Sequence, residues 1–174
     1  ELLHRAIESH HGRVVKTTGD GCHAVFASAT DAVAAVIDAQ RTFHLTHDRP
    51  LSTEHSPLIR VRMGFHTGEA ELRDGDYYGS AVNRAARIMS IGHGGQVLIS
   101  ATTAGLIRDN LPPGVSLRDL GEHRLRDLSR PSHIYQVVVG DLPSDFPALK
   151  SLDANPGNLP VLLTSFVGRE RELA

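Results

Sequence analysis

Near the front of the chain, Lys16-Thr-Thr-Gly-Asp-Gly21 sets a carboxylate between two glycines. At the tip of a tight turn, such a carboxylate is exposed and open to a hard cation such as Mg²⁺. An ordinary surface turn reads the same way, because Asp and Gly both favour that backbone. A second cluster is Asp76-Tyr-Tyr-Gly-Ser-Ala-Val-Asn83-Arg-Ala-Ala-Arg87. Asn83 and Arg87 stand four residues apart and share a helical face. Together they can donate hydrogen bonds to phosphoryl oxygens. A solvated helix face with a structural Asn fits the same spacing. The third cluster, Gly64-Phe-His-Thr-Gly68, places glycines on a strand where another backbone can approach closely.

The other reactive residue types form no comparable pattern. The chain has 11 His, but the short-range pairs His10-His11 and His44/His47 lack the Cys or acidic residues that would complete a zinc site with clear spacing. His23 and His66 fall on strands beside the proposed site and are read as packing or local tuning residues. Cys22 follows the first turn and reads as a small semi-buried side chain.

The elements that position these residues follow from periodicity. Leu2, Leu3, Ala6 and Ile7 form a helical stripe stopped by Gly12. Arg13 to Lys16 and Cys22 to Phe26 flank the Gly19-Asp20-Gly21 turn as a hairpin. A helix opens near Ser28 with Val33, Val36, Ile37 and Phe43 on its apolar side. His44 to Pro57 reads as a loop, and Leu58 to Phe65 as an alternating strand. A turn at Arg73-Asp-Gly-Asp76 leads to a helix that Ser80 can cap, with Val82, Ala85, Ala86 and Met89 inward. Gln96 to Ile99 is a strand, and Ser100 caps a further helix. Leu117, Leu120, Leu125 and Leu128 fit two short strands joined around Gly121 to His123. His133 to Val139 is the last strand. From Gly140 the pattern decays into a Pro-rich linker, residues 141–164. This order of helices, hairpins and single strands predicts an α/β (α+β) sandwich with a mixed or antiparallel sheet.

Composition narrows the function. Eighteen basic and 20 acidic residues leave a net charge of −2, which disfavours bulk nucleic-acid binding. No Trp and 5% aromatic residues leave no stacking platform for single strands. One cysteine permits no internal disulfide. No apolar run approaches a membrane span and no signal peptide opens the chain, so a cytoplasmic location is expected.

The run Gly12-Arg-Val-Val-Lys-Thr-Thr-Gly-Asp-Gly-Cys-His-Ala-Val-Phe26 resembles the metal-carboxylate hairpin of class III nucleotidyl cyclases. Arg62-Met-Gly-Phe-His-Thr-Gly-Glu69 and Asp76 to Ile88 resemble their later strand and catalytic helix. Gly121-Glu-His-Arg-Leu-Arg-Asp-Leu128 resembles their closing segment. The resemblance covers about residues 1 to 140, in unbroken order.

It implies a ferredoxin-like cyclase core and a head-to-tail dimer with composite sites. One copy supplies metal carboxylates, the other the purine-reading and transition-state residues. Asp20 lands on the hairpin metal ligand, Lys16 and Asp76 on the base readers, and Asn83 and Arg87 on the catalytic helix pair. Lys16 and Asp20 of one copy are then expected to face Asp76, Asn83 and Arg87 of the other. A lysine donor and an aspartate acceptor match adenine N1 and N6, whereas guanine presents the reverse, so ATP is the expected substrate. The implied cofactors are two Mg²⁺ or Mn²⁺ ions, and the implied product is cyclic AMP. The family's opening strand, with its first metal aspartate, would precede Glu1. Without it, weak or no activity is expected, and a nucleotide-binding regulatory module of a multidomain transcriptional regulator is the alternative. No direct contact with nucleic acid or membrane is expected. Finally, Leu159 to Leu173 resembles the entry to a signalling ATPase domain, expected to start at residues 165–174.

Overall fold

The computed structural model describes residues 1–47 and 59–154. Its elements are α1 (Leu2–Ser9), β1 (Arg13–Thr18), β2 (Gly21–Val25), α2 (Ala29–His47), β3 (Met63–Phe65), β4 (Glu71–Arg73), β5 (Asp76–Tyr78), α3 (Ser80–Ser90), β6 (Val97–Ser100), α4 (Ala101–Ile107), β7 (Val115–His123) and β8 (Ser132–Val139). Short 3₁₀ turns follow at Arg108–Asn110 and Leu152–Ala154. The main sheet has the order β3-β6-β8-β7, with β3 parallel to β6 and the remaining pairs antiparallel. The hairpins β1–β2 and β4–β5 are separate two-stranded units. This is the mixed-sheet α+β architecture expected.

Alternation along β6 explains the layers. Val97 and Ile99 join Val33, Val36 and Ile37 of α2 and Ala104 and Ile107 of α4 on one face. Leu98 points the other way, to Ile88 of α3 and to Ile91, Leu125, Ile134 and Leu149. Leu98, Ile99, Ile88 and Ile134 are fully buried. Burying each contributes roughly 1.5–3 kcal/mol. On the α3 face, buried Gln136 is satisfied: it accepts from Gln96 Nε2 at 2.9 Å and donates to the Ser144 carbonyl at 2.7 Å.

Several elements depart from the sequence reading. Helix α2 runs to His47, so His44 to His47 are helical; the rest of the expected loop, residues 48–58, lies outside the described residues. The strand read from Leu58 shortens to Met63–Phe65. Its partner β6 begins opposite Met63, and the Val61 carbonyl is taken by Gly95 N and Gln40 Nε2 instead. A strand at Glu71–Arg73 completes a hairpin whose turn, Asp74-Gly75, has positive φ at both positions.

Helix α3 turns a different face inward. Ala81 and Ile88 are buried, Ala86 and Met89 are exposed, and Val82 and Ala85 are only half-buried. Arg84 can lie on the inward side because its guanidinium donates to Ser132 Oγ at 2.8 Å. Its N-cap is Gly79, not Ser80. The two strands expected around Gly121 are one strand, β7. Its register shifts between Asp119 and Gly121, so a bulge absorbs the glycine at φ 83°.

The Pro-rich stretch read as linker lies against the domain up to residue 153. Lys150 N bonds to the Ile91 carbonyl, Leu152 N to the Arg124 carbonyl, and Leu149 is buried. Proline prevents regular structure there without preventing apolar anchoring. The expected ATPase start, residues 165–174, lies outside the described residues.

Candidate functional site

The two hairpins converge at one corner. On β1 the pairing shifts between Val14 and Lys16, so a bulge sets Lys16 opposite His23 of β2. The Lys16 ammonium donates to Asp76 Oδ2 at the start of β5. The other oxygen, Oδ1, accepts from Tyr77 N at 2.8 Å. Arg13 donates to the Tyr77 hydroxyl at 3.2 Å and lies 5.5 Å over its ring. The hydrogen bond from Lys16 holds the Asp76 carboxyl below the usual carboxylate range, and the same bond raises Lys16. Both groups are therefore charged at neutral pH.

This geometry corrects one expectation. Lys16 does not face Asp76 from a second copy; the two meet within a single chain. The reason is topological: the bulge in β1 and the tight Asp74-Gly75 turn bring both hairpins to the same edge of the fold.

His23 sits behind the pair. Its Nδ1 is buried, has no hydrogen-bond partner, and lies 4.0 Å from Asp76 Oδ1. Burial pushes its pKa down; Asp76 opposes that shift and Lys16 adds to it. His66, just beyond β3, is also pushed down, by burial first and then by Arg84. Its Nδ1 meets Ser100 Oγ at 2.8 Å, and Ser100 in turn accepts from Thr103 N to cap α4.

Of the remaining predicted residues, Asp20 and Asn83 are exposed and Arg87 is partly buried. Asp20 occupies the β1–β2 turn after Gly19, whose φ is 60°, and makes no hydrogen bond or ion pair among the described residues. Asn83 projects from α3 into solvent. Arg87, one turn on, donates to Asp127 Oδ2 at 2.5 Å. Asp127 holds a positive φ of 59° in the turn after β7. Gly64 does permit a close backbone approach, and the approaching backbone is that of α3. A Cβ at Gly64 would fall 2.4 Å from Met89 N.

The metal expectation can be tested on the donor set. Among the described residues no group of three or more His, Cys, Asp or Glu could hold an ion. Asp20 alone does not fit a two-ion site. Arg13, Tyr77 and Asp127 were not anticipated from the sequence. They belong to the site only through contacts between distant segments, which no local motif announces.

The chain matches the family model described as "Adenylate and Guanylate cyclase catalytic domain" over residues 1–138. It belongs to that family. It is 40% identical over 172 residues to an uncharacterized protein of Mycobacterium tuberculosis, covering 97% of this chain and 56% of the relative. It is 32% identical over 135 residues to the putative adenylate cyclase 3 of Rhizobium meliloti, covering 78% of this chain and 22% of that protein. The chain thus spans about half the length, or less, of these curated relatives. Among solved structures, the adenylate/guanylate cyclase/hydrolase from Silicibacter pomeroyi superposes with a TM-score of 0.69 at 32% identity, covering 79% of each chain. The adenylyl cyclase CyaB from P. aeruginosa gives 0.64 at 28% identity, covering 83% of this chain and 80% of that one. No helix among the described residues is long and apolar enough to cross a membrane.

Proposed function

We propose that this domain recognises ATP and carries the purine-reading half of an adenylate cyclase site. The observation that carries the reading is the Lys16–Asp76 pair, assembled within one chain. Lys16 offers an N–H donor for adenine N1, and Asp76 offers an acceptor for the N6 amino group. Guanine, with a donor at N1 and an acceptor at C6, would leave both groups mismatched, and a site that leaves its polar groups unpaired rejects the wrong base.

The reaction is attack of the ribose 3′-oxygen on the α-phosphorus with loss of pyrophosphate, giving cyclic AMP. Asn83 orients the ribose, and Arg87 stabilises charge developing at the α-phosphate. Arg87 must exchange Asp127 for the phosphate to do so. Asp20 serves a second copy's nucleotide in a head-to-tail dimer, as the family-matched metal carboxylate among the described residues. The Mg²⁺ or Mn²⁺ pair is not assigned here, because among the described residues Asp20 stands without the further acidic ligands that two ions would take.

A second reading is a nucleotide-binding regulatory module without turnover, which fits a lone Asp20 among the described residues. The two readings separate by titrating the chain with ATP and GTP and measuring cyclic AMP formed in the presence of Mn²⁺. Tighter binding of ATP than GTP is expected under both. Slow cyclic AMP formation, abolished by Asp20→Ala, supports the enzyme; binding without product supports the regulatory module. Exchanging the pair, as Lys16→Asp with Asp76→Lys, should lower the ATP-over-GTP preference by about tenfold or more. A chain that prefers GTP before any substitution overturns the base-reading assignment.

A further inference from the structure

His23 carries the one buried side-chain nitrogen without a hydrogen-bond partner among the described residues, and that nitrogen lies 4.0 Å from Oδ1 of Asp76. Buried polar atoms are nearly always paired, so an orphan beside a functional group calls for a reason. The charged and titratable groups around it are few. Lys16 faces it across the β1–β2 ladder, and Asp76 faces it from β5. Arg13 is engaged with Tyr77, and Tyr78 acts on Lys16 rather than on His23.

We propose that His23 is a positioning residue for Asp76: its Nδ1–H closes onto Asp76 Oδ1 when Lys16 leaves Asp76 for the purine edge. The argument rests on the base-reading assignment above. Lys16, now on Asp76 Oδ2, turns an N–H toward adenine N1 when the base enters, and its hold on the carboxylate loosens. Once Lys16 turns away, the carboxylate loses its strongest donor and keeps only Tyr77 N. A free carboxylate could then rotate about its terminal bond and misplace the oxygen that accepts from N6. His23 Nδ1 stands 4.0 Å from Oδ1, about 1 Å beyond an ordinary N–H···O bond. A small rotation of either side chain closes that gap. The imidazole thereby replaces the ammonium on the carboxylate, and both base readers keep their geometry throughout. Burial favours the neutral ring, which can still supply one N–H from Nδ1 without adding a charge that would compete with Lys16.

The test has two arms. In the first, ¹⁵N and ¹H resonances of the His23 ring are followed by NMR in the nucleotide-free chain. Lys16→Met mimics departure of the ammonium. It should give a hydrogen-bonded Nδ1 proton signal that a further Asp76→Asn substitution erases. An Nδ1 signal indifferent to Asp76 overturns the proposal. In the second arm, ATP and GTP affinities are compared. His23→Phe keeps a ring but no nitrogen and should reduce the ATP-over-GTP preference by about tenfold. His23→Asn, which puts an N–H near the Nδ1 position, should restore it to within about twofold. Equal preference in wild type and His23→Phe overturns the proposal, as does failure of His23→Asn to restore what His23→Phe loses. A wild-type chain that binds neither nucleotide defeats the base-reading assignment instead, and the first arm then decides the His23–Asp76 contact by itself.

Discussion

At the corner between the hairpins, Lys16, Asp76, Tyr77 and Arg13 satisfy one another within one chain, whereas Asp20 and Asn83 stand exposed and Arg87 is held only by a surface carboxylate. The first region is pre-organised, because its charged groups are already at hydrogen-bonding distance of one another. The second presents separate groups that do not contact one another among the described residues. The contrast shows that two convergent hairpins suffice to assemble the Lys16–Asp76 pair. It also shows where each property depends on packing: the corner on the hairpins, the Asn83–Arg87 face on the seat of α3.

Gly64→Ala breaks the comparison from the α3 side. The new methyl would overlap the Met89 backbone, which a rotamer change cannot relieve. A destabilisation of about 3 kcal/mol is expected in chemical denaturation. The hairpin corner should survive in whatever remains folded, seen as an unchanged His23 ring signal. Joint loss of both regions would mean that they are not independent.

Acid sharpens the comparison by acting on the corner. Burial depresses the pKa of His23 and His66 in the folded state. The unfolded chain therefore takes up those protons first, and stability is full above the ordinary histidine range and falls as pH drops through about 6.5 and below. His23→Phe should flatten part of that fall and leave the share of His66, read as melting temperature against pH. A second loss belongs at lower pH. Asp76, Asp119 and Asp141 are all depressed, so their contribution is present above the ordinary carboxylate range and is lost as pH falls through their folded values.

The smallest expected effect on stability is at Asp127. Asp127→Asn weakens an exposed ion pair and should change stability by less than about 1 kcal/mol. Arg87 is freed by the same change, so affinity for inorganic pyrophosphate should rise about threefold, measured by calorimetric titration. An unchanged affinity would show that Asp127 does not compete with anions for Arg87.

Much of this molecule is legible in residue order, and the failures have identifiable causes. The β1–β2 hairpin follows from Gly19-Asp20-Gly21, and the α4 cap follows from Ser100. The inward face of α3 was misread because small and apolar residues sit on two sides of it. Only the seat against β6 and the Ser132 partner for Arg84 select Ile88. The Gly121 break became a bulge because β8 supplies an unbroken partner strand. The apparent linker became part of the fold because Leu149 finds a place among Ile91, Leu98 and Leu125.

Residue types and spacing by themselves single out the turn carboxylate of Asp20 and the Asn83–Arg87 pair one helical turn apart, and the family resemblance adds Lys16 and Asp76. Local rules reach that far because turn geometry and helical period act over a few residues. Only the tertiary structure decided that Lys16 and Asp76, 60 residues apart, pair within one chain, that His23 stands behind them with a free nitrogen, and that Asp127 holds Arg87. Those contacts depend on how hairpins and helices pack, and packing is a property of the whole chain.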